Sequence, residues 1–239
     1  MNFNFLDLRS LKTRMTLFTL AIFLIGIWSL GFYTRRDLRE DMQHMLSDQQ
    51  FSTVSILATK INQELDDRLK ALEKIAGGIS PVILDNRLEL QTFLEQRILI
   101  KSLFNGGAFI TGIDGTATAS IPLSAERIGG NYMDRDYFAT ALNEGRSTIG
   151  RPVMGRALHS PVFVIAVPMR DTRNKVIGAL AGVTDLGKPN FLDSITEGRY
   201  GKTGGYILIE PQSRMIVTAT DKTLIMTPLP LAFPEIDFR

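Results

Sequence analysis

Residues 129–138, GGNYMDRDYF, are the stretch from which the fold and the candidate site are best worked out. Gly129 and Gly130 permit backbone angles that other residues avoid, so the sequence predicts a tight turn that leads into a short helix. Asp134 is a favourable N-cap, and residues 135–144 are compatible with a helix that Gly145 ends. The stretch is therefore predicted to be a turn followed by a helix.

Three side chains of this turn indicate a pocket. Arg135, Tyr137 and Phe138 can converge on one concavity, where an arginine offers a fork of donors to a carboxylate or phosphate and the aromatic rings offer a flat apolar wall. These groups are typical of a pocket for a small anion or an amino acid. The alternative is that both aromatic residues belong to the core and Arg135 is a solvated cap.

Strand patterns surround the stretch on both sides. The five predicted strands are short apolar segments separated by turns: Ala108–Gly112, 116–121, 148–154, 161–168 and 175–186. They predict an antiparallel sheet with helices packed on it, an α+β fold. Asp185 lies at the end of the last strand, either as a strand terminator or as a pocket acid. Together with Arg135 it would define an amino-acid-like ligand, because an aspartate can bind an ammonium group.

A long helix is predicted before the sheet, over residues 37–76. Apolar residues recur there at intervals of three or four, which gives one narrow stripe on a polar helix: Leu57, Ile61, Leu65, Leu69, Leu72 and Ala76. Such a stripe can pack on its own domain or against a second copy of the chain. We expect both, with the lower part as a dimer seam and the upper part on the domain; packing within the domain alone is the alternative. Gly77 and Gly78 end the helix.

Residues 15–34 contain no charged side chain and are long enough to cross a bilayer as a helix. The Lys and Arg residues on the two sides are equal in number, so they do not decide the orientation. An uncleaved transmembrane anchor is the main interpretation, and a cleaved signal peptide is the alternative. Both place the rest of the chain across a membrane.

A second sheet is predicted to begin late in the chain. A linking helix over residues 188–197 precedes two strand patterns, 206–210 and 214–219, which are joined by a turn. Two strands cannot bury a face by themselves. The expectation is a second, smaller module of which the chain holds only the start.

Composition excludes several classes of function. The chain is 44% hydrophobic with a net charge of only +2, which gives no indication of a nucleic-acid partner. It has no cysteine, and His44 and His159 stand in no ligand spacing, so neither a metal site nor a cofactor is expected. We find no catalytic constellation and expect no enzyme within these residues.

The order of these elements resembles a known family. The segments IGGNYMDRDYF, ALNEGRSTIGRPVMGR, PVFVIAVPMRD and KVIGALAGVTDL are similar to the double Cache sensor domains of bacterial transmembrane receptors. GKTGGYILIEPQSRMIVTATD resembles the opening of their second module. The resemblance implies two PAS-like antiparallel sheets beside a long helix, on the periplasmic side of the inner membrane.

Five segments follow from this resemblance. Residues 1–14 would be cytoplasmic and 15–34 would cross the membrane. Residues 35–78 would form a signalling and dimerisation helix. Residues 79–186 would be the membrane-distal module with the ligand pocket, and 187–239 would begin the membrane-proximal module. A homodimer is the expected assembly.

The resemblance also assigns roles to individual residues. Arg135 stands at the position of the arginine that holds a ligand carboxylate, and Asp185 stands at that of the aspartate that holds the ammonium. Tyr137 replaces an expected tryptophan and Phe138 an expected tyrosine, and Tyr132 is near the place of another tyrosine. The implied ligand is an amino acid or an organic acid.

The implied function is sensing with a cytoplasmic output. The form RDYF is most similar to sensors that precede diguanylate cyclase or cyclic-di-GMP phosphodiesterase domains. The alternatives are the sensor of a chemoreceptor or histidine kinase, and a structural or dimerisation ectodomain without a small ligand.

Overall fold

The structure is a computed structural model that describes residues 11–196 and 204–229. Most of the expected cytoplasmic segment 1–14 and the last part of the second module therefore lie outside the described residues. The chain divides into two units, of which the first ends at Ala58 and the second begins at Thr59.

Helix α1, Leu11–Ala76, contributes to both units. In the first unit every side chain described between residues 14 and 34 is exposed, and most of these side chains are apolar. Arg14–Thr34 is the one span among the described residues that is long and apolar enough to cross a membrane, judged by length and composition. This agrees with the predicted anchor.

In the second unit the end of α1 packs into the core. The apolar stripe is half-buried at Ile61, Leu65 and Leu69 and fully buried at Leu72 and Ala76. The part of the stripe closest to the sheet therefore packs on its own domain.

Three short helices follow: α2 (Pro81–Asp85), α3 (Arg87–Glu95) and α4 (Ile98–Leu103). Asn86 caps α3 because its side-chain oxygen accepts hydrogen bonds from the backbone N–H groups of Leu88 and Glu89.

The main sheet has six strands: β1 (Ala108–Gly112), β2 (Ala117–Ile121), β3 (Thr148–Ile149), β4 (Val153–Met154), β5 (Pro161–Arg170) and β6 (Val176–Asp185). All pairings are antiparallel in the order β2-β1-β6-β5-β3, and β4 also pairs with β5. The predicted antiparallel sheet is confirmed. The single strand predicted over residues 148–154 is two short strands, because residues 150–152 between them contain Pro152, which has no N–H for a sheet ladder.

The predicted helix after the turn is shorter than expected and has a different cap. Helix α5 covers only Asp136–Ala139 and continues as a π-helical turn over Thr140–Glu144. Its N-cap is Arg135, so the expected cap at Asp134 is wrong; Arg156 instead donates to the Asp134 carboxylate at 2.6 Å. Gly145 ends the segment at a φ of 65°, as predicted.

The second sheet contains β7 (Ile207–Glu210) and β8 (Met215–Ala219), which pair antiparallel as predicted. A 3-10 helix follows at Lys222–Leu224. Of the predicted linking helix over residues 188–197, the described part contains α6, Asp193–Thr196, preceded by a turn that Asn190 stabilises. Residue 197 lies outside the described residues.

Candidate functional site

Four aromatic rings form a cluster on one face of the main sheet. Their centroids lie 4.7 Å apart for Phe109 and Tyr132, and 5.3 Å apart for Phe138 with each of Phe109 and Tyr137. All four are at most 6% exposed. They pack on small and branched residues of the two central strands: Val162, Val164, Ala166, Ala179, Ala181 and Val183. The sheet thus fixes the position of the rings.

The turn predicted from the glycines holds Tyr132 in this cluster. Gly129 has a φ of 82°, and its N–H donates to the carbonyl of Ala117 at 2.8 Å. The carbonyl of Gly130 accepts from the N–H of Ala117, and the Tyr132 N–H donates to Gly115. These bonds attach the turn to the start of β2, so its aromatic side chain lies over the sheet.

A cavity of about 30 Å³ lies beside the cluster, and we call it the small cavity. Arginine and tyrosine side chains and apolar residues line it: Phe109, Arg127, Tyr132, Arg135, Tyr137, Val153, Met154, Gly155, Arg156, Ala157, Leu158, Val162, Val164 and Val183. Three of the predicted site residues, Tyr132, Arg135 and Tyr137, therefore meet at one cavity. Its volume is about that of one water molecule in the liquid.

Phe138 packs against the aromatic residues of the site but does not line the small cavity. Its side chain is fully buried and contacts the rings of Phe109, Tyr132 and Tyr137. These surroundings are those of a core residue, which is the alternative interpretation of Phe138.

Asp185 lies on the same sheet face as Val183 but is engaged elsewhere. One oxygen of its buried carboxylate accepts from the Ser160 hydroxyl at 2.9 Å and from the Gly187 N–H at 3.0 Å. The other lies 3.5 Å from Nζ of Lys188. The carboxylate is absent from the lining of the small cavity, so the structure does not bring Asp185 and Arg135 together there.

Two further arginines line the small cavity, and neither was singled out from the sequence. Arg156 donates to the carbonyl of Asn131 at 2.7 Å and to Asp134, and its guanidinium lies 5.7 Å from the ring centroid of Tyr132. Arg127 is only 4% exposed. Neither stands in a motif that indicates a site, and only tertiary packing brings each of them to the cavity.

Both tyrosines of the site are neutral donors near pH 7. Burial raises the pKa of Tyr137 to about 12. Burial also raises the pKa of Tyr132, against the opposing influence of Arg127, Arg156 and Arg135. Because the phenols keep their protons, no phenolate offsets the positive charge of the arginines at the site.

Tyr137 also lines a second space of about 670 Å³, which we call the large cavity. Its lining includes Ile61 and Leu65 of α1 and Glu210 of β7. Asp136 and Arg151 also line it, and they form an ion pair in which Nη2 of Arg151 donates at 2.7 Å. Nothing in the sequence indicated this cavity, because elements from distant parts of the chain form its walls.

The profile of the Cache domain family (dCache_1) matches residues 39–236. The chain belongs to this family. The expected resemblance to double Cache sensor domains is thereby confirmed, with its α+β architecture. Cache domains of chemoreceptors are non-catalytic, in agreement with the expectation of no enzyme within these residues.

A curated relative of this chain is a chemoreceptor. The chain is 26% identical over 225 residues to the methyl-accepting chemotaxis protein PctB of Pseudomonas aeruginosa. The aligned region covers 90% of this chain and 33% of PctB. It therefore spans about a third of the length of that relative.

Two solved structures have the same fold. The ligand-binding domain of the Pseudomonas fluorescens chemoreceptor CtaA in complex with L-serine aligns with a TM-score of 0.60 at 20% identity, over 76% of this chain and 75% of that one. The ligand-binding domain of PctB from Pseudomonas aeruginosa in complex with L-Arg aligns with a TM-score of 0.58 at 25% identity, over 73% and 71%. The expected link to a cyclase output has no support among these proteins, and the chemoreceptor alternative fits them better.

Proposed function

We propose that this chain is the extracytoplasmic sensor region of a bacterial chemoreceptor. In this proposal residues 15–34 anchor it in the inner membrane, residues 35–78 form the signalling helix, and the module at residues 79–186 binds a small ligand on the periplasmic side. Residues 187–239 begin a membrane-proximal module. Two copies assemble through the exposed part of α1, and the output lies in the cytoplasm.

The observation that carries the proposal is the meeting of Arg135, Tyr132 and Tyr137 at one cavity over the sheet. An arginine and two protonated phenols supply donors to a carboxylate, while the ring faces and valines supply an apolar wall. The CtaA and PctB domains were solved with L-serine and L-Arg. These ligands support a carboxylate-bearing ligand for this chain.

Binding would require the small cavity to expand. Ligand pockets usually enclose about 300–1,000 Å³, which is roughly 10 to 30 times the volume of this cavity. Residues 155–158, which follow β4, contribute four consecutive members of its lining. We expect this segment to move outward when a ligand enters.

A structural ectodomain without a small ligand is the second candidate. The small volume of the cavity favours it, and so does the engagement of Asp185 by Ser160, Gly187 and Lys188. In that case α1 and its exposed apolar side chains would serve only assembly.

Calorimetry of the full chain in lipid nanodiscs separates the two candidates. The panel contains amino acids, small carboxylates, polyamines and purines. A sensor is expected to gain several degrees of Tm with one of these classes, since selective binding to the folded state stabilises it. Arg135→Gln is expected to remove the shift, whereas Arg173→Gln, at the exposed turn between β5 and β6, is expected to keep it. No shift with any compound in a folded sample would favour the structural ectodomain.

A further inference from the structure

Arg127 carries a buried guanidinium that the fold leaves incompletely paired. Its Nη2 donates to the carbonyl of Gly106 at 3.2 Å, and its guanidinium lies 5.2 Å from the ring centroid of Phe109. Its Nη1 is buried and has no hydrogen-bond partner. One of the two terminal nitrogens of a nearly fully buried cation therefore has no acceptor.

No carboxylate neutralises this charge among residues 11–196 and 204–229, where Arg127 forms no ion pair. Burial lowers the pKa of Arg127, yet an arginine keeps its proton at neutral pH. A buried charge without a countercharge opposes folding, so such an arrangement is rare unless an additional partner is supplied.

The lining of the small cavity contains three arginines and no aspartate or glutamate. Two candidate acids have other partners: Asp134 accepts from Arg156 and lies 3.8 Å from Nε of Arg135, and Asp185 accepts from Ser160. An anion that enters the cavity meets several cationic donors. An ammonium group finds no carboxylate in the lining.

We infer that Arg127 is a ligand-binding residue and that the site takes a small organic acid without an ammonium group. In this assignment Nη1 of Arg127 donates to a carboxylate of the ligand, and Arg135, which is 22% exposed, holds the ligand at the outer side. The apolar remainder of the lining contacts the carbon chain. The inference rests on the proposed sensor function and specifies its ligand class.

Two pairs of compounds isolate the ammonium group. Succinate and L-aspartate differ only in that group, and so do propionate and L-alanine. Titration calorimetry of the full chain in nanodiscs at pH 7 is expected to give at least about tenfold tighter binding of the acid in one pair or both. Equal or tighter binding of the amino acids would overturn the inference and leave the sensor function standing.

Arg127→Met tests the residue itself. Methionine fills similar apolar space without charge, so the variant is expected to lose succinate or propionate affinity by about tenfold or more. Its Tm without ligand is expected to equal or exceed that of the parent, because an unpaired buried charge has been removed. Arg173→Met, which removes an exposed arginine, is the matched control.

Each remaining outcome decides the inference. Unchanged affinity in a folded Arg127→Met variant would overturn it. If that variant is less stable than the parent, the Arg127→Lys variant decides, because lysine keeps the charge but not the planar fork of donors. Weaker binding of succinate or propionate by Arg127→Lys supports the inference, and unchanged binding overturns it. Absence of binding by the parent chain for all four compounds and for the wider panel would overturn the sensor function as well, which distinguishes the two failures.

Discussion

The guanidinium of Arg68 on α1 lies 3.7 Å from the ring centroid of Phe191, in the turn that follows β6. Arg68 is 5% exposed, pairs with Glu64, and donates through Nε to the carbonyl of Leu103 at 3.2 Å. Phe191 in turn packs edge-on against Phe163 of β5, with 6.0 Å between centroids. The long helix is thereby joined to a central strand through one charged and two aromatic side chains.

A double-mutant cycle of Arg68→Met and Phe191→Leu is expected to give a coupling energy of about 1–2 kcal/mol, because the cation is desolvated over the ring. Urea unfolding of the full chain, followed by circular dichroism, measures it. Arg97 and Phe93 form a matched control pair at 4.1 Å in which Arg97 is exposed, and about 0.5 kcal/mol is expected there. Equal coupling in both pairs would contradict the role of burial.

Tyr137 should make stability depend on pH in the alkaline range. Its pKa is about 12 in the folded chain and about 10 when unfolded, so folding favours the protonated phenol. The contribution is complete below pH 10 and is lost as the pH rises from 10 towards 12, by about 2–3 kcal/mol in total.

Tyr137→Phe removes this titration while keeping the ring. The free energy of unfolding of the variant is expected to fall less than that of the parent between pH 9 and 11, in a series of urea titrations. Tyr206→Phe serves as the control, because Tyr206 lies outside the aromatic cluster. Parallel curves for the parent and Tyr137→Phe would show that the phenol is not buried in the folded chain.

Arg156 fastens the segment that follows β4 to the turn at residues 131–134. Its two hydrogen bonds are at 2.7 and 2.6 Å, but the pair with Asp134 is half exposed and contributes only about 0–1 kcal/mol to stability. Arg156→Gln should therefore leave Tm nearly unchanged and increase amide exchange in residues 154–160, measured by hydrogen exchange and mass spectrometry.

Arg146→Gln is the control for this experiment, since Arg146 forms an exposed pair with Glu144 away from the segment. Its exchange at residues 154–160 should match that of the parent. If Arg156→Gln also leaves the exchange of these residues unchanged, their backbone hydrogen bonds and not the arginine hold them in place.

The proposed dimer can be tested in a chain that contains no native cysteine. Met45 is 72% exposed on α1 in the first unit. In a parallel two-fold pair of helices a residue that lies in the seam meets its counterpart, so a seam that contains Met45 predicts an intermolecular disulfide for Met45→Cys in nanodiscs under mild oxidation. Ser47→Cys points to the opposite side of the helix and should react much more slowly. Equal rates would argue against a seam at Met45.

The central strands could be predicted because their sequences indicate only one kind of secondary structure. β5 and β6 are nearly continuous apolar runs bounded by Asp171 and Asn174, which form the turn between them. The aromatic residues of the turn at residues 129–138 were also identified, since glycines determine the direction of the backbone. Both signals are local, and local signals are what a single sequence contains.

The failures concern residues whose partners are distant in sequence. Aspartate is a residue type that favours helix N-caps, but the Asp134 carboxylate accepts a hydrogen bond from Arg156, which is 22 residues away. The pairing of Asp185 with Arg135 through a ligand stays a prediction; in the structure the Asp185 carboxylate contacts Ser160, 25 residues away, and the nearby Gly187 and Lys188. Arg127 gave no signal because neither its burial nor its free Nη1 is encoded by periodicity.

Tyr137 is the one residue that the linings of the small cavity and the large cavity share. The large cavity also touches Ile61 and Leu65 of α1 and the strand that carries Glu210. Close-packed interiors yield by discrete shifts of side chains, not by gradual compression. If the Tyr137 ring rotated away from a molecule entering the small cavity, the volume of the large cavity would decrease. The surroundings of Ile61 and Leu65 on α1 would then change, although neither residue lines the small cavity.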